Sequence, residues 1–337
     1  MKKLFFFTLA GVAAILSSCT KTETVEIPDS RAINFSGAYI GNAVETRAQQ
    51  QNPENITDAS ITEFIVYGGY NGTMTDVFNA ESVTGVSGGE WTYANTEYWV
   101  DGKTYDFAAY APAIDKTVAT VEAYDANKAL SFTDFTSNAS NQNDLLYAHV
   151  NVPTVNAANQ GPVTFNFSHA LSKIRFTLTN AIDGKLTIEN FKVYGMNSQG
   201  DYTYQTGSNG MGWSNVGTPV ESTAPFTSTI AEMAAVSTSS SSGDYLVIPQ
   251  SVEASKVTVT FEATFTNNND EELISNQPVT ATLPVGSWAP GQCYNYNLNI
   301  TMDVIDPGNT MKPIEFSDPV VTAWPDKDHD SDQDIDL

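Results

Sequence analysis

The feature that most limits what this chain can fold into is a period-two pattern that recurs along its length. Val163-Thr164-Phe165-Asn166-Phe167, Ile174-Arg175-Phe176-Thr177-Leu178 and Val257-Thr258-Val259-Thr260-Phe261 place an apolar side chain at every second position. Successive side chains of a strand point to opposite faces, so each segment offers one face to a core and the other to water. Phe64-Ile65-Val66-Tyr67 and Tyr105-Asp106-Phe107 share the β-branched and aromatic character, and Gly, Asn, Asp and Ser bound these runs as turn formers do. No long stripe at helical spacing interrupts them. Short strands at this density predict an all-β chain built as antiparallel β-sandwiches.

An internal repeat sets the number of sandwiches. Ile61-Thr62-Glu63-Phe64-Ile65-Val66-Tyr67-Gly68 matches Ile188-Glu189-Asn190-Phe191-Lys192-Val193-Tyr194-Gly195 at Ile, Phe, Val, Tyr and Gly, as a duplicated unit would. Each copy follows a strand of like character, Ile33-Asn34-Phe35 in the first and Ile174-Arg175-Phe176 in the second. Two tandem antiparallel sandwiches are therefore expected, over residues 31–168 and 169–303, with Phe64 and Phe191 at equivalent core positions. The connection after the first strand is short in the second copy. In the first copy it is long and polar, and carries Glu45-Thr46-Arg47-Ala48-Gln49-Gln50-Gln51-Asn52-Pro53. A segment of that composition is expected to be exposed, where proteases nick folded proteins.

Lys2 and Lys3 precede an apolar run from Leu4 to Leu16 that ends in Leu16-Ser17-Ser18-Cys19. A basic start, a short apolar stretch and small residues before a cut make a secretory signal peptide, residues 1–18. The run is too short for a permanent span, since a helix needs about 20 residues to cross about 30 Å of hydrocarbon. Its ending resembles the lipobox of bacterial lipoproteins. That likeness implies cleavage before Cys19 and acylation of its thiol, as with palmitate, which would hold the precursor in the outer membrane. Cys293 is then the one thiol left, so an internal disulfide is excluded even in an oxidising compartment. The fold must rest on its core, and 41% hydrophobic against 16% charged residues supplies apolar surface for two domains.

A formal charge of -24, with only 15 Lys and Arg, excludes nucleic acid as a partner, because phosphate binding needs clustered cations. Enzyme chemistry has no visible carrier. His149, His169 and His329 are not spaced as metal ligands, and neither a phosphate-binding glycine loop nor a nucleophile elbow occurs. No catalytic residue, metal or cofactor is assigned. Residues 326–337 place Asp at alternate positions, as the opening of a calcium loop does, but lack its Gly and closing Glu, and read as an acidic tail. Trp91, Tyr93, Tyr98 and Trp99 could form an aromatic platform, although aromatics in a sandwich more often fill the core. They keep open a second reading, a surface-anchored glycan-binding or adhesin lipoprotein that does not polymerise.

Further stretches stand in order between Cys19 and the C-terminus. They are Ile33-Asn34-Phe35 followed by Thr46-Arg47-Ala48, then Asp144-Leu145-Leu146-Tyr147-Ala148, the block from Phe165 to Ile174 around His169, Leu246-Val247-Ile248-Pro249-Gln250, the block from Trp288 to Tyr296, and Val320-Val321-Thr322-Ala323-Trp324. In this order they resemble the fimbrillins, two-domain pilins of protease-assembled (type V) fimbriae in anaerobic Gram-negative bacteria. The resemblance implies transthyretin-like or immunoglobulin-like sandwiches and a structural pilus subunit, not an enzyme, placed at the cell surface in a fimbrium that supports adhesion. It also implies a maturation route. A trypsin-like or Arg-specific protease cuts the lipoprotein precursor after Arg47, so the mature chain begins at Ala48. Residues 19–47 then leave as a propeptide with the first strand, Ala32 to Ile40. A C-terminal segment of another copy, or of a related pilin, fills the vacated groove. In this chain the donor falls in residues 304–325, with Ile314, Phe316, Val320 and Trp324 as its inserting side chains.

Elementary physics agrees with each step. A tethered strand competes with an incoming one at an effective concentration of order mM or more, an advantage that cutting removes. An unpaired edge over an apolar groove then accepts a strand by β-augmentation. Of the basic residues between Cys19 and Ala48, only Arg47 follows the strand it would release, since Lys21 and Arg31 precede it. Pro319 cannot donate to a ladder, so the donor is expected as two short strands broken at Asp318-Pro319. With the first strand in place the donor has no groove in its own subunit. Residues after Asp306 are therefore expected to lie loosely attached and to be dispensable for folding.

Overall fold

A computed structural model describes residues 31–40, 61–85, 90–114, 116, 118–123, 128–205, 212–219, 225–306, 308 and 313–324. Cys19, Arg47, Ala48 and the acidic tail lie outside the described residues. Eight strands come from the first half: β1 (Phe35–Ile40), β2 (Glu63–Tyr70), β3 (Phe78–Thr84), β4 (Tyr105–Ala111), β5 (Thr120–Glu122), β6 (Lys128–Thr136), β7 (Leu146–Val152) and β8 (Val163–His169). The second half continues with β9 (Ser172–Asn180), β10 (Lys185–Tyr194), β11 (Asn197–Gln205), β12 (Gly212–Pro219), β13 (Phe226–Ser228) and β14 (Ser239–Ser241). Then follow β15 (Tyr245–Val247), β16 (Ser251–Val252), β17 (Thr258–Thr266), β18 (Glu272–Thr282), β19 (Gly286–Ser287) and β20 (Gln292–Ile300). A one-turn helix, α1 (Met302–Ile305), leads to β21 (Ile314–Glu315) and β22 (Val320–Ala323). The all-β class read from the period-two pattern is what the chain adopts.

In the first half a sheet of order β1-β8-β7-β4-β2-β3 turns at β7 and β8, which pair only at Leu146↔His169 and Tyr147↔Ser168. The turn lays β1 and β8 over β2 and β4. Phe165 and Phe167 of β8 then meet Phe64 of β2, ring centroids 5.4 and 5.9 Å apart. In the second half β13-β10-β17-β18-β21 and β14-β9-β20-β22 enclose a core of their own. The halves correspond strand by strand. The order β3-β2-β4-β7 matches β13-β10-β17-β18, and the first strand of each half lies parallel to its last, β1 beside β8 and β9 beside β20. Phe64 and Phe191, both buried, sit on the corresponding strands β2 and β10. The glycines that close the matched octapeptides answer to packing: a Cβ on Gly68 would collide with the Phe107 ring, and one on Gly195 with the Lys256 carbonyl.

β8, β9 and β17 alternate buried and more exposed residues along their length, as one-sided strands must. β2 and β4 do not, being buried on both faces. A third sheet of order β12-β11-β6-β5 covers their outer side. Ile65, Tyr67, Ala108 and Tyr110 there share a core with Leu130, Phe132 and Tyr202. This sheet draws strands from both halves, joined where β6 pairs with β11 between Lys128↔Gln205 and Thr136↔Gln199.

The C-terminal segment is not loosely attached, which corrects the expectation from sequence. β21 runs parallel to β18, with Ile314 beside Ala281, and β22 runs antiparallel to β20. Between them the Phe316 N–H donates to Thr282 O and the Ser317 N–H to Asn297 O, so the chain crosses from one sheet to the other. Phe316 is 2% exposed and meets the Phe176 ring at 5.3 Å. The edges of β18 and β20 leave a gap that this segment closes, so it has an apolar site in its own subunit while β1 stays in place.

Candidate functional site

β1 fills a groove whose shape is set by a bulge. It pairs parallel with β8 from Phe35↔Val163 to Ile40↔Phe167, with a register shift between Phe35 and Gly37. The extra residue moves the inward positions from alternate spacing to Ile33, Phe35, Ala38 and Ile40, all buried in the first core. The Phe35 ring meets Phe64, Phe78, Tyr93 and Phe165 at 5.5 to 5.9 Å. The Tyr93 hydroxyl donates to Ile33 O at 2.7 Å, and burial pushes its pKa up, which keeps it protonated for that role. On the outer face, Ser36 Oγ lies 2.5 Å from Thr164 Oγ1.

Ile40 opens on a cleft of about 590 Å³ that Ile61, Asp144, His169, Lys173, Asp244 and Trp324 also line. The C-terminal segment is held here. The Trp324 ring stacks on His169 at 3.9 Å and 6°, and Lys173 Nζ sits 4.6 Å from its centroid. His169 Nδ1 lies 2.6 Å from Asp144 Oδ2. Backbone bonds tie the same place together, Ala170 to Leu145, Gly291 to Leu171 and Trp324 to Gly291. The Gln142 side chain accepts from Leu246 N–H at 2.8 Å and donates to Leu246 O at 3.1 Å. The stretches around Asp144, His169, Leu246, Trp288 and Trp324, distant in sequence, thus converge on one junction between the halves. No local pattern could have announced that.

Of the donor residues named from sequence, Phe316 and Trp324 are buried, Ile314 packs half-buried against the second core, and Val320 is 58% exposed. Cys293 on β20 is half-buried, and burial raises its thiol pKa despite nearby Lys173. Trp91 and Trp99 are core residues, packed on Phe64 at 5.1 Å and Tyr105 at 4.9 Å, so the four aromatics present no open platform. Among the described residues no three His, Cys, Asp or Glu side chains gather as metal ligands would, and no helix is long and apolar enough to cross a membrane.

A family model described as fimbrillin-like matches residues 46–324. No curated protein matches the sequence significantly. Among solved structures, a protein of Bacteroides ovatus assigned to cell adhesion superposes with a TM-score of 0.52 at 16% identity, over 87% of this chain and 98% of that one. That likeness supports the fold alone. A second such protein, from Bacteroides uniformis, gives 0.49 at 16% identity over 88% and 100% of the two chains. The fimbrial anchor protein Mfa2 of Porphyromonas gingivalis gives 0.38 at 11% identity over 85% and 97%. The last two are too distant to carry an argument.

Proposed function

The chain belongs to the fimbrillin-like family, and from that premise we propose that it is a structural fimbrial subunit that polymerises by donor-strand exchange. On this reading it is exported as an outer-membrane lipoprotein acylated at Cys19. An Arg-specific or trypsin-like protease cuts it after Arg47, so that the mature chain begins at Ala48.

The observation that carries the reading is the placement of β1. It is an edge strand of one sheet, yet Ile33, Phe35, Ala38 and Ile40 fill the centre of the first core. Its departure would leave the β8 edge unpaired over an apolar slot, which must be refilled or collapse. Three large side chains at about 1.5 to 3 kcal/mol each put the gross gain on refilling near ~5 to 9 kcal/mol. The donor gives up contacts of its own, since Phe316 and Trp324 leave their sites in the subunit that supplies them. The net drive is therefore the difference between two docked states, and cutting after Arg47 tips it by removing the tethered competitor.

With Trp91 and Trp99 inside the core, the aromatic platform that favoured glycan binding loses its support. The test is Arg47→Ala in cells that assemble the fimbria. The expected product is a lipidated, membrane-held monomer, and SDS-resistant polymers of that variant would refute the route.

A further inference from the structure

We propose that the C-terminal segment is an internal copy of the first strand, and that the partner it serves is a second copy of this same chain, with Ile314 entering the site of Ile33 and Phe316 that of Phe35. The proposal rests on the strand-exchange reading and adds to it a partner, a register and a direction.

Ile-x-Phe-Ser occurs twice in the chain, as Ile33-Asn34-Phe35-Ser36 and as Ile314-Glu315-Phe316-Ser317. Both copies do the same job. In the first, Ala32 bridges to Tyr98 before Phe35 joins β8. In the second, Ile314 pairs with β18 before Ser317 bonds to Asn297 of β20. Each tetrapeptide thus runs onto the edge of a sheet and seats its Phe in the core of a sandwich, Phe35 at 5% exposure and Phe316 at 2%.

The likeness extends beyond the tetrapeptide if the bulge of β1 is kept. The inward positions 33, 35, 38 and 40 correspond without a gap to Ile314, Phe316, Pro319 and Val321. Pro319 is admissible at that place. Val163 N–H donates to Asn34 O, so residues 163, 165 and 167 present their amides to β1. With Gly37 opposite Thr164 and Tyr39 opposite Asn166, these two face back and the amide of Ala38 points away from β8. A proline there removes no ladder bond. Val321 is 49% exposed on its own subunit and would be covered in the place of Ile40. Because the match runs in the same sense, the incoming strand lies parallel to β8, as β1 does.

Ser36 beside Thr164 supplies the test. In the proposed register Ser317 of one copy takes the place of Ser36 against Thr164 of the next, within reach of a disulfide. Full-length protein carrying Ser317→Cys, Thr164→Cys and Cys293→Ser is cut with an Arg-specific protease, oxidised and run on a non-reducing denaturing gel. A cross-linked ladder is expected, absent from uncut protein and absent when Val320→Cys, which the register places opposite Asn166, replaces Ser317→Cys. Polymers that cross-link only at a shifted position overturn the register and leave strand exchange standing. A labelled peptide of residues 313–324 should bind cut but not uncut protein, and Phe316→Ala in it should weaken binding at least tenfold. Binding without polymer formation overturns the self-partner assignment, and no binding at all overturns strand exchange as well.

Discussion

Trp324 holds the C-terminal segment through one ring, stacked on an imidazole that Asp144 orients. Replacing Trp324 with Ala should cost about 3 to 5 kcal/mol, the usual range for removing a buried Trp, read by urea denaturation. Trp324→Phe should lose much less, and an Ala variant within 1 kcal/mol of the parent would mean, in that range, that the docked end is weakly held. His149 offers a second test. It sits in the first sandwich with Nε2 3.3 Å from Asp106 Oδ1, and burial lowers its pKa against the opposing pull of Asp106. The unfolded chain then binds a proton at higher pH than the native one, so stability is full above the unfolded value of about 6.5 and falls as pH drops through it. Denaturation midpoints should decline between roughly pH 7 and 5, and His149→Gln should flatten the decline. A parent protein equally stable across that window would contradict the assignment.

Strands wetted on one face declared both themselves and their buried face in the sequence, whereas β2 and β4 declared themselves as strands but not the second face they bury. β8, β9 and β17 alternate because one side of each keeps partial contact with solvent. Ala108 and Tyr110 of β4 gave no cue to their cover, since it comes from β6 and β11, further along the chain. The C-terminal segment was legible as two short strands broken at Pro319. Its docked state was not, because the gap it closes arises only when β18 and β20 have come together. Phe316→Ala should therefore destabilise the uncut subunit by about 3 to 5 kcal/mol, and truncation after Asp306 should lower its melting temperature by several degrees or more. A truncated chain that melts with the full-length protein would restore the loosely attached picture.

The two halves correspond in topology, yet they do not stand apart. Leu130 and Phe132 from the first half and Tyr202 from the second share one core, and the hairpin of β11 and β12 lies against the sandwich of the other half. Tyr202 is 1% exposed in this shared layer, and burial raises the pKa of its phenol well above its ordinary value. Unfolding by heat should accordingly give one calorimetric transition with equal calorimetric and van't Hoff enthalpies. Two resolved transitions would mean that the third sheet couples the halves weakly. In the fibre proposed above, the first strand of one subunit would be cut away and its place taken by the C-terminal segment of a neighbouring chain. Mass spectrometry of subunits stripped from surface fimbriae reads the loss of that strand directly. The mature chain should begin at Ala48, without residues 19–47. Subunits that begin at an acylated Cys19, or that retain Ala32 to Ile40, would contradict it.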